Sequence, residues 1–207
     1  DVIEGNKLRL KRIVFEGNET LSDDELRKGW KTKPWSWHSY ATRYITNAGT
    51  YSEPVFLQDL RTVEEKYANK GFIQVEVSEP EVETAPEGVI VTVKITEGDR
   101  YQTGTLDVAG DETIDLETLR DKLHLKETDI FNRAALTADV DVLTRHYTDR
   151  GFYFASVSPR TQVNPDEKTV DVVFQVEKGP LYFVREIEFL GNTTTVDPVL
   201  RQEMELA

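Results

Sequence analysis

The sequence predicts an α+β fold built as a tandem array of small units, each running strand, helix, helix, strand, strand. Three recurring features predict it, because internal repeats are the signature of an array. A strand motif ending in glycine occurs at Leu10 to Asn18 (LKRIVFEGN), Thr103 to Asp111 (TGTLDVAGD) and Val184 to Asn192 (VREIEFLGN). A second glycine lies 12 residues before each of these: Gly5 before Gly17, Gly98 before Gly110, Gly179 before Gly191. The segment Tyr67-Ala-Asn-Lys-Gly71-Phe72 matches Tyr147-Thr-Asp-Arg-Gly151-Phe152 at an offset of 80.

Each element has a local reason. Ile13 and Phe15, Leu106 and Val108, and Ile187 and Phe189 stand four and two positions before their glycines. That is the period-two alternation of a half-buried strand closed by a turn. The first helix of unit 1 starts near Ser22, where Ser22 and Glu25 have capping-box spacing. Leu26 and Trp30 face the core, as do Leu119 with Leu123 and Leu200 with Met204. Asp197 and Pro198 form a helix start in unit 3. The second helix carries Phe56, Leu60 and Val63, matched by Leu136, Val140 and Leu143, one face of an amphipathic helix. Pro54 suits its first turn, and Gly71 and Gly151 suit a left-handed C-cap. Two strands follow, Phe72 to Val77 and Val89 to Ile95, then Phe152 to Val157 and Val170 to Val176. Val170-Asp-Val172-Val-Phe174 departs from full alternation.

The expected organisation is a tail of a preceding unit at 1–5, units at 6–98 and 99–179, and the start of a further unit at 180–207. Gly17 to Gly71 spans 54 residues, whereas Gly110 to Gly151 spans 41. Unit 1 therefore carries an insertion between its helices, inside 31–51. All three tryptophans, Trp30, Trp35 and Trp37, sit in or beside it. They either fold back on the unit's own helices, with Trp30 on the core face, or present Trp35 and Trp37 as an aromatic patch for a partner.

Composition narrows the function. The chain of 207 residues has 25 Lys+Arg against 38 Asp+Glu, a formal net charge of −13. Without a basic block it is a poor nucleic-acid ligand, since phosphate contacts need clustered cations. Cysteine is absent, so disulfides, zinc–thiolate sites and thiol nucleophiles are excluded. Apolar runs are too short for a membrane-spanning helix. His38, His124 and His146 lie in separate contexts, and His146 aligns with Lys66, which reads as a solvated position. The aspartates of Asp139-Val-Asp141 point apart and read as a solvated acidic face. Glycines punctuate elements and form no phosphate loop. The expectation is a non-enzyme without catalytic residues, cofactor or metal.

What remains is the backbone. A three-stranded sheet with two helices on one face leaves an edge unpaired. Such edges accept extended peptides by strand addition. The candidates are Phe72, Ile73, Gln74, Val75, Glu76 and Val77 in unit 1, and Phe152, Tyr153, Phe154, Ala155, Ser156 and Val157 in unit 2. Glu76 and Glu79 would guard the first of these.

Together, VREIEFLGNTTTVDPVLRQEME (184–205), YANKGF (67–72), YTDRGF (147–152) and VKITEGDRY (93–101) resemble the POTRA domains of the BamA family, the bacterial outer-membrane protein insertases. The resemblance spans the chain and aligns its units with the third, fourth and opening fifth of a five-unit array. It implies that the last strand of each unit lies between the other two, with the second strand at the edge. It further implies a periplasmic region before a C-terminal membrane β-barrel, which docks accessory lipoproteins and receives unfolded outer-membrane proteins. Strand addition would then fall on Phe72 to Val77. A related secretion transporter, or a structural spacer, is the alternative. The acidic balance suits a region that should not adhere to an anionic envelope surface.

Overall fold

The structure, a computed structural model, describes residues 9–35, 51–86, 88–111 and 116–183. The elements of unit 1 are β1 (Leu10–Glu16), α1 (Asp23–Arg27), α2 (Glu53–Ala68), β2 (Glu76–Val77), β3 (Glu81–Ala85) and β4 (Gly88–Thr96). Those of unit 2 are β5 (Gln102–Ala109), α3 (Leu116–Leu119), α4 (Arg133–Thr148), β6 (Ser156–Asn164) and β7 (Thr169–Glu177). The expected tail at 1–5, Trp37 and residues 184–207 lie outside the described residues.

In both sheets the last strand is central. β4 pairs parallel with β1 and antiparallel with β2 and β3, and β7 pairs parallel with β5 and antiparallel with β6. The core alternation follows from period two. Val89, Val91, Val93 and Ile95 are buried in β4, and Val170, Val172, Phe174 and Val176 in β7. The departure read at 170–174 is thus no departure: Val173 is simply an apolar residue on the outward-facing side. The two sheets belong to two separate hydrophobic clusters, one per unit.

Helix α1 begins with the expected capping box, in which the Glu25 amide donates to the Ser22 hydroxyl and the Ser22 amide to the Glu25 carboxylate. It is a single turn, and Trp30 lies beyond its end. The indole is nonetheless buried, edge-on to Phe15 and Phe56 at 5.5 Å each, with its N–H donated to Thr62. Lys66 is not solvated as its alignment suggested. Its ammonium donates to the carbonyls of Glu25, Leu26 and Lys28, closing the C-terminal end of α1 where carbonyls lack helical partners.

A second pair of residues departs from the reading of solvated acids. Asp139 is fully buried, and the backbone N–H groups of His124 and Leu125 donate to its carboxylate at 2.6 and 2.9 Å. Asp59, 80 positions earlier, is also buried and accepts from the N–H groups of Lys31 and Thr32 at 3.1 and 2.8 Å. In each unit an aspartate on the second helix pins the loop that leaves the first. Asp141 is exposed as read.

Unit 1 holds one more long-range clip. Glu97 accepts from the N–H of Thr20 at 2.8 Å, the Thr20 hydroxyl at 2.5 Å and the Tyr67 hydroxyl at 2.8 Å. Burial pushes the Glu97 carboxyl up, but the bonds from Thr20 and Tyr67 outweigh it and hold the group below its ordinary value. The stability it adds is therefore present above the ordinary carboxylate range and is lost as pH falls through the lowered value. Glu97→Gln is expected to cost about 1 kcal/mol at neutral pH. The variant and the parent should converge in acid, which urea unfolding at pH 7 and pH 3 would check.

Candidate functional site: the free sheet edges

Each central strand leaves its two neighbours with one unpaired side. The outer side of the first strand is partly closed in both units. The Trp35 amide donates to the Leu10 carbonyl in β1 at 2.7 Å. In β5, the Thr103 amide donates to Asp129 and the Thr128 amide to Thr103, beside a bridge from Gln102 to Ile130. The second-strand edges carry no comparable loop among the described residues.

The edge of unit 1 is short and interrupted. Val77 pairs with Ile95 and Glu81 with Thr92, so four steps on the edge oppose three on β4, which is a bulge around Pro80. Glu76, Glu79, Glu81 and Glu83 line it, and all four are exposed. Glu81 meets Lys94 at 2.6 Å and raises the lysine's pKa through that hydrogen bond. The edge of unit 2 is a single strand: all nine residues of β6 pair with β7, from Ser156 opposite Glu177 to Asn164 opposite Thr169.

The structure divides the twelve edge candidates. Glu76 and Val77, and Ser156 and Val157, are strand residues. Phe72 to Val75 and Phe152 to Ala155 are not, which corrects the expected strand starts. The left-handed C-cap glycine is followed by a second turn before the strand begins, closed in unit 2 by the Ala155 amide on the Phe152 carbonyl. Phe72 is buried and Val75 packs on its own core. Ile73 packs against the core of unit 2, and Gln74 accepts from the buried Tyr101 hydroxyl. This turn is the joint between units. Its counterpart carries the exposed Tyr153 and Phe154, the latter 5.2 Å from the ring of Tyr182. The joint repeats: Tyr101 donates its amide to the Gly71 carbonyl, and Tyr182 donates to that of Gly151, both at 2.9 Å.

Of the aromatic patch, Trp35 is 47 % exposed, with the Arg9 guanidinium 5.8 Å from its ring centre, and Trp37 lies outside the described residues. A groove of about 570 Å³ runs between α4 and β6, lined by Pro159, Thr161, Val163, Leu136 and Val140 and reached by Ile73 of unit 1. Sequence reasoning missed it, since it needs the helix and strand to be placed side by side. Among the described residues no group of three or more His, Asp or Glu is placed to hold a metal, and no helix is long and apolar enough to cross a membrane. His124 is engaged through Nδ1 with Asp139 at 2.9 Å. His146 packs edge-on to Tyr147, and burial, Arg150 and Lys122 lower its pKa.

This geometry of paired beads has a match among known proteins. The POTRA family model, described as a surface antigen variable number repeat, matches residues 8–98 and 101–179. The chain belongs to the POTRA family. It is similar to outer membrane protein assembly factor BamA of Nitratidesulfovibrio vulgaris, 28 % identical over 212 residues, covering 100 % of this chain and 26 % of that protein. BamA of Neisseria meningitidis serogroup B is likewise 28 % identical, over 97 % of this chain and 25 % of that protein. The crystal structure of Haemophilus influenzae BamA POTRA3-5 superposes with a TM-score of 0.65 at 25 % identity, covering 97 % of this chain and 78 % of that one. The chain thus spans about a quarter of the length of the curated relatives it matches. Its POTRA units are mixed α+β.

Proposed function

We propose that these POTRA units are the periplasmic polypeptide-binding and scaffolding array of an outer-membrane protein assembly factor, working without catalysis. They receive extended segments of unfolded outer-membrane proteins by strand addition, dock accessory lipoproteins, and stand before a membrane β-barrel in the whole protein. One observation carries the reading: in each sheet the outer side of the first strand is partly closed by a loop, while the second strand's main chain faces outward unpaired. Main-chain donors and acceptors recognise an extended partner with little regard to its sequence. The similarity to BamA supplies the assembly role.

The test is titration of a β-strand peptide against ¹⁵N-labelled backbone amides. Shifts confined to β2, β3 or β6 support the reading. A saturating response elsewhere, with those strands silent, overturns it. A second reading, a spacer without substrate, is favoured by one observation, the repeated joint of Tyr101 on Gly71 and Tyr182 on Gly151. Under it no strand amide responds to any peptide.

A further inference from the structure

The two second-strand edges are unequal. We propose that the β6 edge of unit 2, at Thr161 and Val163, is the docking site for an extended segment that alternates apolar residues and carries a carboxylate. This rests on the strand-addition reading and names the edge and the chemistry it selects.

The edge of unit 1 has the features by which sheets avoid pairing: short strands, a bulge and a row of charge. An arriving strand there would meet Glu76, Glu79, Glu81 and Glu83 on a chain of net charge −13. β6 pairs with β7 along all nine of its residues, without a bulge, and bears no carboxylate.

Pro159 sets the register. A proline has no N–H, so within a strand its nitrogen must face away from the partner. Val157, Thr161 and Val163 share its orientation at intervals of two, and their N–H and C=O groups point outward. Pro159 offers only its carbonyl and breaks the row of donors. Thr161 and Val163 are then the uninterrupted donor–acceptor pair. The same residues line the groove against Leu136 and Val140. An added strand continues the pleat, so every second side chain of the partner lies over that groove. Arg133 lines it too and makes no ion pair among the described residues. A partner carboxylate fits there and nowhere along the edge of unit 1.

The experiment uses the 207-residue chain and a synthetic peptide of alternating valine and threonine with one central glutamate. The amides of Thr161 and Val163 should shift and exchange more slowly. Thr161→Pro, which removes one outward donor and is tolerated at an edge, should weaken binding about five- to tenfold. Val82→Pro in β3 should leave it unchanged. Arg133→Glu should weaken the glutamate peptide and strengthen its lysine counterpart. Should Thr161→Pro disturb unit 2, a peptide N-methylated at alternate amides decides on the parent chain: retained affinity rules out main-chain pairing. Protection at Glu81 to Ala85 with Thr161 and Val163 silent overturns this proposal and leaves strand addition standing. Silence at every edge overturns both.

Discussion

Asp139→Ala should destabilise unit 2 by about 3 kcal/mol and leave unit 1 folded. The carboxylate is fully buried and accepts two backbone N–H groups. Alanine leaves both donors without their partner, the Leu125 amide in a buried setting, and hydrogen bonds to a charged acceptor are worth roughly 1.5–3 kcal/mol each. For a domain of this size the loss corresponds to a fall in Tm of about 12–24 °C. Asp139→Asn should recover only part of it. The amide keeps one acceptor oxygen but turns an NH₂ group toward the other donor, so two N–H groups face each other. Asp59→Ala should repeat the effect in unit 1. Amide exchange resolved by residue is the measurement, because the two cores are distinct and a single melting curve would merge them. Uniform loss of protection across both units would refute the assignment.

Gly71→Val should open the joint between the units. Gly71 has φ +91°, where side chains are strained, at a cost of roughly 1–3 kcal/mol. A Cβ there would also lie 2.7 Å from the Tyr101 carbonyl oxygen and 2.9 Å from the Ile130 side chain, both in unit 2. The change must displace unit 2 or break the hydrogen bond from the Tyr101 amide. Gly29→Ala is the matched control, since Gly29 has φ +87° but nothing within 4 Å of the added carbon. Small-angle scattering should show a broadened distribution of interatomic distances for Gly71→Val and an unchanged one for Gly29→Ala. If both variants scatter like the parent, the joint does not hold the units in place.

The features legible in the sequence were those written in side chains that repeat. The face of Phe56, Leu60 and Val63, the capping box at Ser22 and the alternation of Val89 to Ile95 each state a local preference that the packing reinforces. The strand starts were illegible for a physical reason. Phe72-Ile73-Gln74-Val75 has the apolar content of a strand, but its conformation is set by backbone hydrogen bonds and by contacts with the next unit. The buried aspartates were misread because Asp141 beside Asp139 resembles a charged surface. A signal existed: Asp59 and Asp139 recur at the offset of the apolar positions and fall on the same helical face as Phe56 and Leu136. The groove between α4 and β6 joins residues far apart in the chain, and no local pattern announces it.

The packing of Ile73 against the neighbouring core has a consequence for how such chains are inherited and built. A cut drawn at the linker glycine, the place an alignment would choose, strips the later bead of an apolar cover that its predecessor supplies. Beads are therefore not freely interchangeable by recombination; a transplanted one keeps its packing only when the turn after the donor's preceding second helix travels with it. On a ribosome the order is favourable, since the cover emerges before the face it packs on.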